Sequence, residues 1–254
     1  MDRRLLTPRM MGVHILVLVL VVGFVTLGLW QLDRLAQRRE SNAVGEGRLR
    51  SEPVPVESVL GGEFDPEQLG FRRVVAKGVF DLQHEVLIRS QTHLGSPGFH
   101  VITPLLGSDG VAIMVNRGWV PLGFDDLPLA EALAPQGTVT VDGWLHATQT
   151  RPPLGREEPA GQLATLNRVD LERIGEQVPY PLYGMYLVEM GERTEPPIPA
   201  QPPDFTDEGP HLAYAIQWFG FAAIGVVGYA GLLRRRLARP QEGEVDRARS
   251  PTTS

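Results

Sequence analysis

The stretch "GPHLAYAIQWFGFAAIGVVGYAGLLRRR", residues 209–236, decides how the chain is read. Leu212–Leu233 carries no charge, and Arg234, Arg235 and Arg236 follow at once. About 20 apolar residues at about 1.5 Å rise each cross a hydrocarbon core of about 30 Å. The run is therefore expected to span a membrane as residues 211–233. A plain anchor needs neither the histidine that opens it nor Tyr214, Gln217 and Trp218 in its first turns.

A second uncharged run lies near the other end, "MMGVHILVLVLVVGFVTLGLW", Met10–Trp30. It too is long enough to span, over residues 10–31. A cleaved signal peptide is the alternative, but the run ends in "LGLWQLDRL" without an A-x-A-like cleavage site. The basic flanks set the orientation. The first run has Arg3, Arg4 and Arg9 before it and Arg34, Arg38 and Arg39 after it, which decides nothing. The second has Asp204, Asp207 and Glu208 before it and Arg234–Arg236 and Arg239 after it, which puts residues 234–254 in the cytoplasm. Two spans then return residues 1–9 to the cytoplasm and place residues 32–210 outside it. The expected fold is thus a membrane protein whose two transmembrane α-helices flank a mainly antiparallel β (α+β) extracytoplasmic domain.

Within that middle part, β-branched and aromatic enrichment predicts strands over Val74–Phe80, Glu85–Ser90, His100–Leu106, Ala112–Trp119, Thr138–His146 and Leu182–Glu189. Gly107–Gly110 supplies the turn of the clearest hairpin. Acidic residues at its start predict a helix over Phe124–Ala134. A second is expected over Asn167–Val178, with Asn167 as its N-cap. "DRLAQRRESNA" is read as a continuation of the first helix. Thr150–Gln162 reads as a polar Pro/Gly-rich loop, and Glu195–Asp204, "EPPIPAQPPD", as an extended polyproline spacer.

Composition excludes several chemistries. The 254 residues include no cysteine, so disulfides, thiol catalysis and thiolate metal sites are ruled out. The net charge of −6, without an exported basic patch, gives no case for nucleic acid. No G-x-S-x-G or phosphate-binding glycine loop is present. His84, His93 and His100 lack metal-ligand spacing and read as surface or turn residues. "NRGWVP", Asn116–Pro121, reads either as a partner-binding edge or as a turn with a packed Trp119.

Polar residues inside spanning helices are functional candidates. On a helical wheel His211, Tyr214, Ala215, Trp218, Ala222 and Gly225 share a face. An imidazole beside aromatic and small residues is what a flat iron-bearing macrocycle needs. The same residues also suit an aromatic belt at the lipid boundary. Gly220, Gly225, Gly228 and Gly231 offer close approach to Gly23 and Gly28 of the first helix. His14 lies sixteen residues before Trp30, about 24 Å along the helix, too far to share one iron with His211.

Three stretches, "LGLWQLDRLAQR", "NRGWVP" and "HLAYAIQWFGFAAIGVVGY", resemble the motifs of the surfeit locus protein 1 family. The resemblance implies a non-catalytic assembly factor for haem–copper cytochrome c oxidase. It implies haem a as cofactor, with His211 as iron ligand and Tyr214 and Trp218 as walls. The implied partners are the lipid bilayer and the oxidase subunits, chiefly the haem-bearing catalytic one. Trp30, Gln31, Arg34, Arg117, Gly118 and Gln217 take structural or partner-docking roles by the same analogy. The absence of cysteine argues against copper delivery. The implied location is the bacterial plasma membrane, with the mitochondrial inner membrane as the alternative. A cofactor-free scaffold docking on oxidase subunits, and an extracytoplasmic ligand sensor, are the other function classes. The sensor would call for a cytoplasmic output module, which the polar residues after Leu237 do not resemble.

Overall fold

The computed structural model describes residues 7–129, 132, 134–149 and 161–238. It divides into two units, one formed by the residues up to Ser41 with those from Thr206 on, the other by Asn42–Phe205.

The first unit is a pair of helices, α1 (Pro8–Arg50, whose last turns belong to the second unit) and α5 (His211–Ala238). Both are long and apolar enough to cross a membrane. At 1.5 Å per residue they reach roughly 65 Å and 42 Å. Their contact follows a period of 3.5 residues. The shielded positions of α1 include His14, Val17, Val21, Phe24, Gly28, Gln31 and Leu35, and those of α5 include His211, Ala215, Trp218, Ala222, Gly225 and Tyr229. Steps of four and three in alternation are the mark of a coiled-coil seam. Small residues let the backbones approach. A Cβ built at Gly28 would lie 2.6 Å from the Phe219 ring, and one at Gly225 3.6 Å from Val21. Gly23, Gly220, Gly228 and Gly231 meet nothing within 4 Å, so only two of the six expected glycines serve the contact. Outside the seam the pair presents Ile15, Leu18, Ile216, Ile224 and Val227, each more than half exposed.

Among the described residues, the second unit holds the short helices α2 (Val56–Leu60) and α3 (Pro66–Leu69) and is built on eight strands: β1 (Val54–Pro55), β2 (Arg73–Phe80), β3 (Val86–His93), β4 (Ser96–Leu106), β5 (Ala112–Pro121), β6 (Thr138–Ala147), β7 (Thr165–Leu166) and β8 (Met185–Glu189). Their order is β1-β2-β6-β8-β5-β4-β3-β7. β2 also pairs with β4, through Val79↔Leu106 and Phe80↔Leu105, so β2, β6, β8, β5 and β4 close into a ring. The sheet is mixed: the long ladders are antiparallel, and β1–β2, β3–β7 and β5–β8 are parallel. Alternate residues fill the ring, among them Val74, Ala76, Leu105, Ile113, Val115, Leu145, Met185 and Leu187. The opposite face buries Met114, Trp144, Tyr186 and Val188 under Leu171 and Ile174 of α4 (Leu171–Gly175). β5, covered on both faces, is buried from Ala112 to Val120.

The six expected strands are all present, and the Gly107–Gly110 turn closes the β4–β5 hairpin with Gly110 at φ 81°. The last strand starts later than expected. Leu182 makes only a single parallel bridge to Ala112, and regular pairing resumes at Met185. The Phe124–Ala134 helix is corrected. Phe124–Leu129 is irregular, because Pro128 lacks an N–H and disfavours helix at the residue before it. Leu127 and Leu129 instead pack on Leu87, Val101 and Val120. Residues 130, 131 and 133 lie outside the described set, as do 150–160 of the expected loop and the tail from 239.

The second expected helix shrinks to Leu171–Gly175, capped by Asp170, whose carboxylate accepts from the Arg173 N–H at 3.2 Å. Asn167 loses the cap because Gln149 holds Val169 extended. The Gln149 N–H donates to the Val169 carbonyl at 2.8 Å, and the Gln149 side-chain oxygen accepts from the Val169 N–H at 3.2 Å.

His84, His93 and His100 have separate environments: Asp81 for His84 at 2.7 Å, the Trp119 ring for His93, and the Asn116 amide for His100 at 3.2 Å. Burial holds His100 down to about 4, well below an exposed imidazole. The unfolded chain then binds the extra proton more readily than the folded one. Stability conferred by the neutral ring is complete above pH 6.5 and drains away between about 6.5 and 4, by up to about 3 kcal/mol. Denaturant unfolding of the full chain at pH 7 and pH 4.5 should show this loss, and His100→Gln should reduce it by a comparable amount.

Candidate functional site

At the start of α5, His211 is half-buried and its Nδ1 lies 2.9 Å from Oε1 of Gln31 on α1. Two contacts bring these residues together. Arg39 meets Glu208 in a bidentate pair, both bonds 2.7 Å, and the Arg38 Nε–H donates to the Asp207 carbonyl at 3.4 Å. The basic flank of one helix is thereby matched to the acidic approach of the other. The Glu208 carboxylate lies below its usual range through its hydrogen bond to Arg39. Next, Gly209 (φ 69°) turns the chain into the helix, its N–H donating to the Asp207 carboxylate at 2.9 Å.

Around His211, Tyr214 is 47% exposed, and Trp218 stacks on Phe24 at 5.8 Å with Phe221 edge-on at 5.9 Å. Gln217 is exposed. On α1, Trp30 is 51% exposed, and the Arg34 guanidinium lies 5.8 Å from its ring centre while donating to Gln37 at 2.9 Å. Two of the sequence motifs thus meet, through Gln31 and His211. At the other end of the seam His14 Nδ1 bonds the Tyr229 hydroxyl. Seventeen residues, about 25 Å, separate His14 from Gln31 along α1.

The third motif, Asn116–Pro121, sits in the other unit, on β5. Asn116 pairs with Ile102 and Gly118 with Val101, so Arg117 is the extra residue of a β-bulge. The bulge turns Arg117 inward, to 1% exposure. Its Nη1–H donates to Glu85 Oε2 at 3.0 Å and its Nη2–H to the Ala132 carbonyl at 2.9 Å, while Thr103 donates to the same Glu85 oxygen at 2.5 Å. Burial pulls the Arg117 guanidinium below its ordinary value, against the opposing pull of Glu85 and Glu189. Burial also pushes the Glu189 carboxyl up.

Gly118 follows at φ 121°, and a Cβ there would lie 2.1 Å from the Ile198 carbonyl oxygen. Trp119 and Ile198 exchange both backbone hydrogen bonds, at 2.7 and 2.8 Å, and Arg193 donates to the Arg117 carbonyl at 3.0 Å. The edge is therefore taken by the chain's own Pro-rich segment. Further on, Phe205 packs against Gly45 and, edge-on, against Phe71.

Sequence reasoning missed Glu85 as the counter-ion, Ile198 as the occupant, and Phe24 and Phe219 as seam partners. A glycine after an arginine inside an apolar strand was the available signal for the bulge. A 3.5-residue count along α1 places Gln31 and Phe24 on one stripe. Gly118→Ala sets a Cβ against a backbone carbonyl at a φ that suits glycine alone. It should cost at least about 1–3 kcal/mol, read as a lower denaturation midpoint of the full chain and faster trypsin cleavage near Arg193.

Residues 18–223 match the model of the SURF1 family. Among curated relatives, Surfeit locus protein 1 of Homo sapiens is 26% identical over 229 residues, 82% of this chain and 73% of the human one. An uncharacterised SURF1-like protein of Mycobacterium tuberculosis is 27% identical over 233 residues, 84% of this chain and 80% of its own length. A Surfeit locus protein 1-like chain of Arabidopsis thaliana is 35% identical over 130 residues, 47% of this chain but only 33% of the plant protein. The matched span takes in most of the first apolar helix, the whole sheet and the start of the second helix with His211. The chain belongs to the SURF1 family.

Proposed function

We propose that this chain is a non-catalytic assembly factor for haem–copper cytochrome c oxidase, and that it binds haem a through His211 and assists its insertion into the catalytic subunit. The observation that carries the reading is the imidazole at the start of α5, held from the neighbouring helix by Gln31 at 2.9 Å. Ligating histidines characteristically have the second ring nitrogen engaged in this way. The surroundings suit a macrocycle: Tyr214 offers an exposed aromatic face, and Trp218, backed by Phe24, lies one turn beyond it along α5. When bound, the haem contributes its iron as the electrophile that takes an imidazole nitrogen. The protein's part is to present that nitrogen and an apolar wall.

The pair of helices lies across a membrane in this reading. Ile15, Leu18, Ile216, Ile224 and Val227 are all more than half exposed, which water would penalise and lipid would not. Residues 10–31 and 211–233 span, Arg234–Arg236 hold the end of α5 in the cytoplasm, and the sheet domain lies on the opposite side of a bacterial plasma membrane.

A cofactor-free scaffold is the second reading, and Trp30 favours it. A tryptophan 51% exposed and covered by an arginine is a docking element of the kind that dominates interfaces. The readings separate in one experiment. Protein purified from a host that makes haem a should carry a Soret band, and His211→Ala should lose most of it. Equal pigment in both removes His211 from the role. A colourless wild-type protein that still co-purifies with the oxidase, and whose Trp30→Ala variant does not, selects the scaffold.

A further inference from the structure

We infer that Gln31 is the positioning residue of this site: it selects the Nδ1–H tautomer of His211, and so makes Nε2 the nitrogen that meets iron. The inference rests on the reading of His211 as a haem ligand but is tested apart from it.

A neutral imidazole carries one proton on either ring nitrogen, and the partner of one nitrogen decides which. The group facing Nδ1 is Oε1 of the Gln31 amide, at 2.9 Å. An amide oxygen only accepts, so Nδ1 must hold the proton and the Nε2 lone pair is left for an electrophile. Gln31 is well placed to impose this. It lies on the seam between buried Gly28 and buried Leu35, in the middle of an unbroken helix, so its side chain starts from a fixed point. Its cationic neighbour Arg34 is occupied by the Trp30 ring and by Gln37, and donates to Gln37 rather than to the Gln31 oxygen.

The choice of an amide has a chemical sense. A carboxylate in the same place would pull harder on the Nδ1 proton and make Nε2 the stronger donor. A neutral acceptor fixes the geometry while strengthening the iron bond less than a carboxylate would, which suits a protein that must give its cargo away.

The test uses the full chain in detergent micelles, labelled with 15N-histidine and free of haem. Long-range proton–nitrogen correlation spectra distinguish the two tautomers, and His211→Ala identifies the His211 signals. The wild type should show His211 with Nδ1 protonated. Gln31→Leu should shift it to a mixture or to the Nε2–H form, and Gln31→Glu, which keeps an acceptor oxygen, should restore the wild-type pattern. Ferric protoporphyrin IX should then bind about 10–100-fold more weakly to Gln31→Leu than to wild type, with Gln31→Glu close to wild type or tighter. An Nε2–H tautomer in the wild type, or an unchanged spectrum in Gln31→Leu, overturns the inference. A wild type with the expected tautomer and no affinity for the porphyrin supports the role of Gln31 and sinks the haem reading instead.

Discussion

A guanidinium with 1% exposure cannot be left without partners, and the sheet domain is organised around supplying them. Arg117 reaches its place because a bulge inserts it into β5, and the bulge in turn requires the glycine that follows. Glu85, just before β3, and the Ala132 carbonyl, after β5, accept from it, and Thr103 of β4 donates to the same Glu85 oxygen. Removing one member of such a pair would strand the other at a cost of about 3–5 kcal/mol. The carbonyl of the same arginine receives Arg193, and the next two residues receive Ile198. One buried charge thus connects the interior of the ring, the segment after β5 and the segment around Ile198.

The pair of helices follows a different logic. Its seam has few large apolar contacts and relies on glycine and alanine at the closest points, with aromatic rings from Phe24, Trp218 and Phe219 beside them. Among the described residues, His14 with Tyr229 and Gln31 with His211 make polar contacts across the seam, near its ends. Polar pairs of this kind fix register where apolar packing would tolerate sliding. His211, the proposed iron ligand, is also one of the residues that align the helices, through its hydrogen bond to Gln31.

Much of this was legible in the sequence, and the exceptions have physical causes. Long apolar runs and alternating strands announce themselves, as did Gly107–Gly110 and the unbroken exit of α1. The two-residue strands Val54–Pro55 and Thr165–Leu166 are too short for any period to register. Closure of the sheet rests on two residue pairs, Val79↔Leu106 and Phe80↔Leu105, 27 and 25 positions apart, a contact that local pattern does not encode. Phe124–Leu129 is not helical because Pro128 outweighs the acidic residues that favour a helix start. Asn167 lost the cap to Asp170 because Gln149, eighteen residues earlier, claims the intervening backbone. At the site, His211 and Trp218 stood out by type alone. Gln31 stood out only by resemblance, since its partner is 180 positions away.

The bridge between Trp119 and Ile198 bears on how the chain is made. β5 waits for Met185–Glu189 on one flank and for Ile198 at its far end, so its pairing has a large sequence separation, the kind that closes slowly. Ile198 precedes His211 by only thirteen residues. At about 5–20 residues per second that is roughly one to three seconds of synthesis. The Ile198 bridge therefore cannot form much before the second apolar helix begins to leave the ribosome, and the two events share the same short interval of translation.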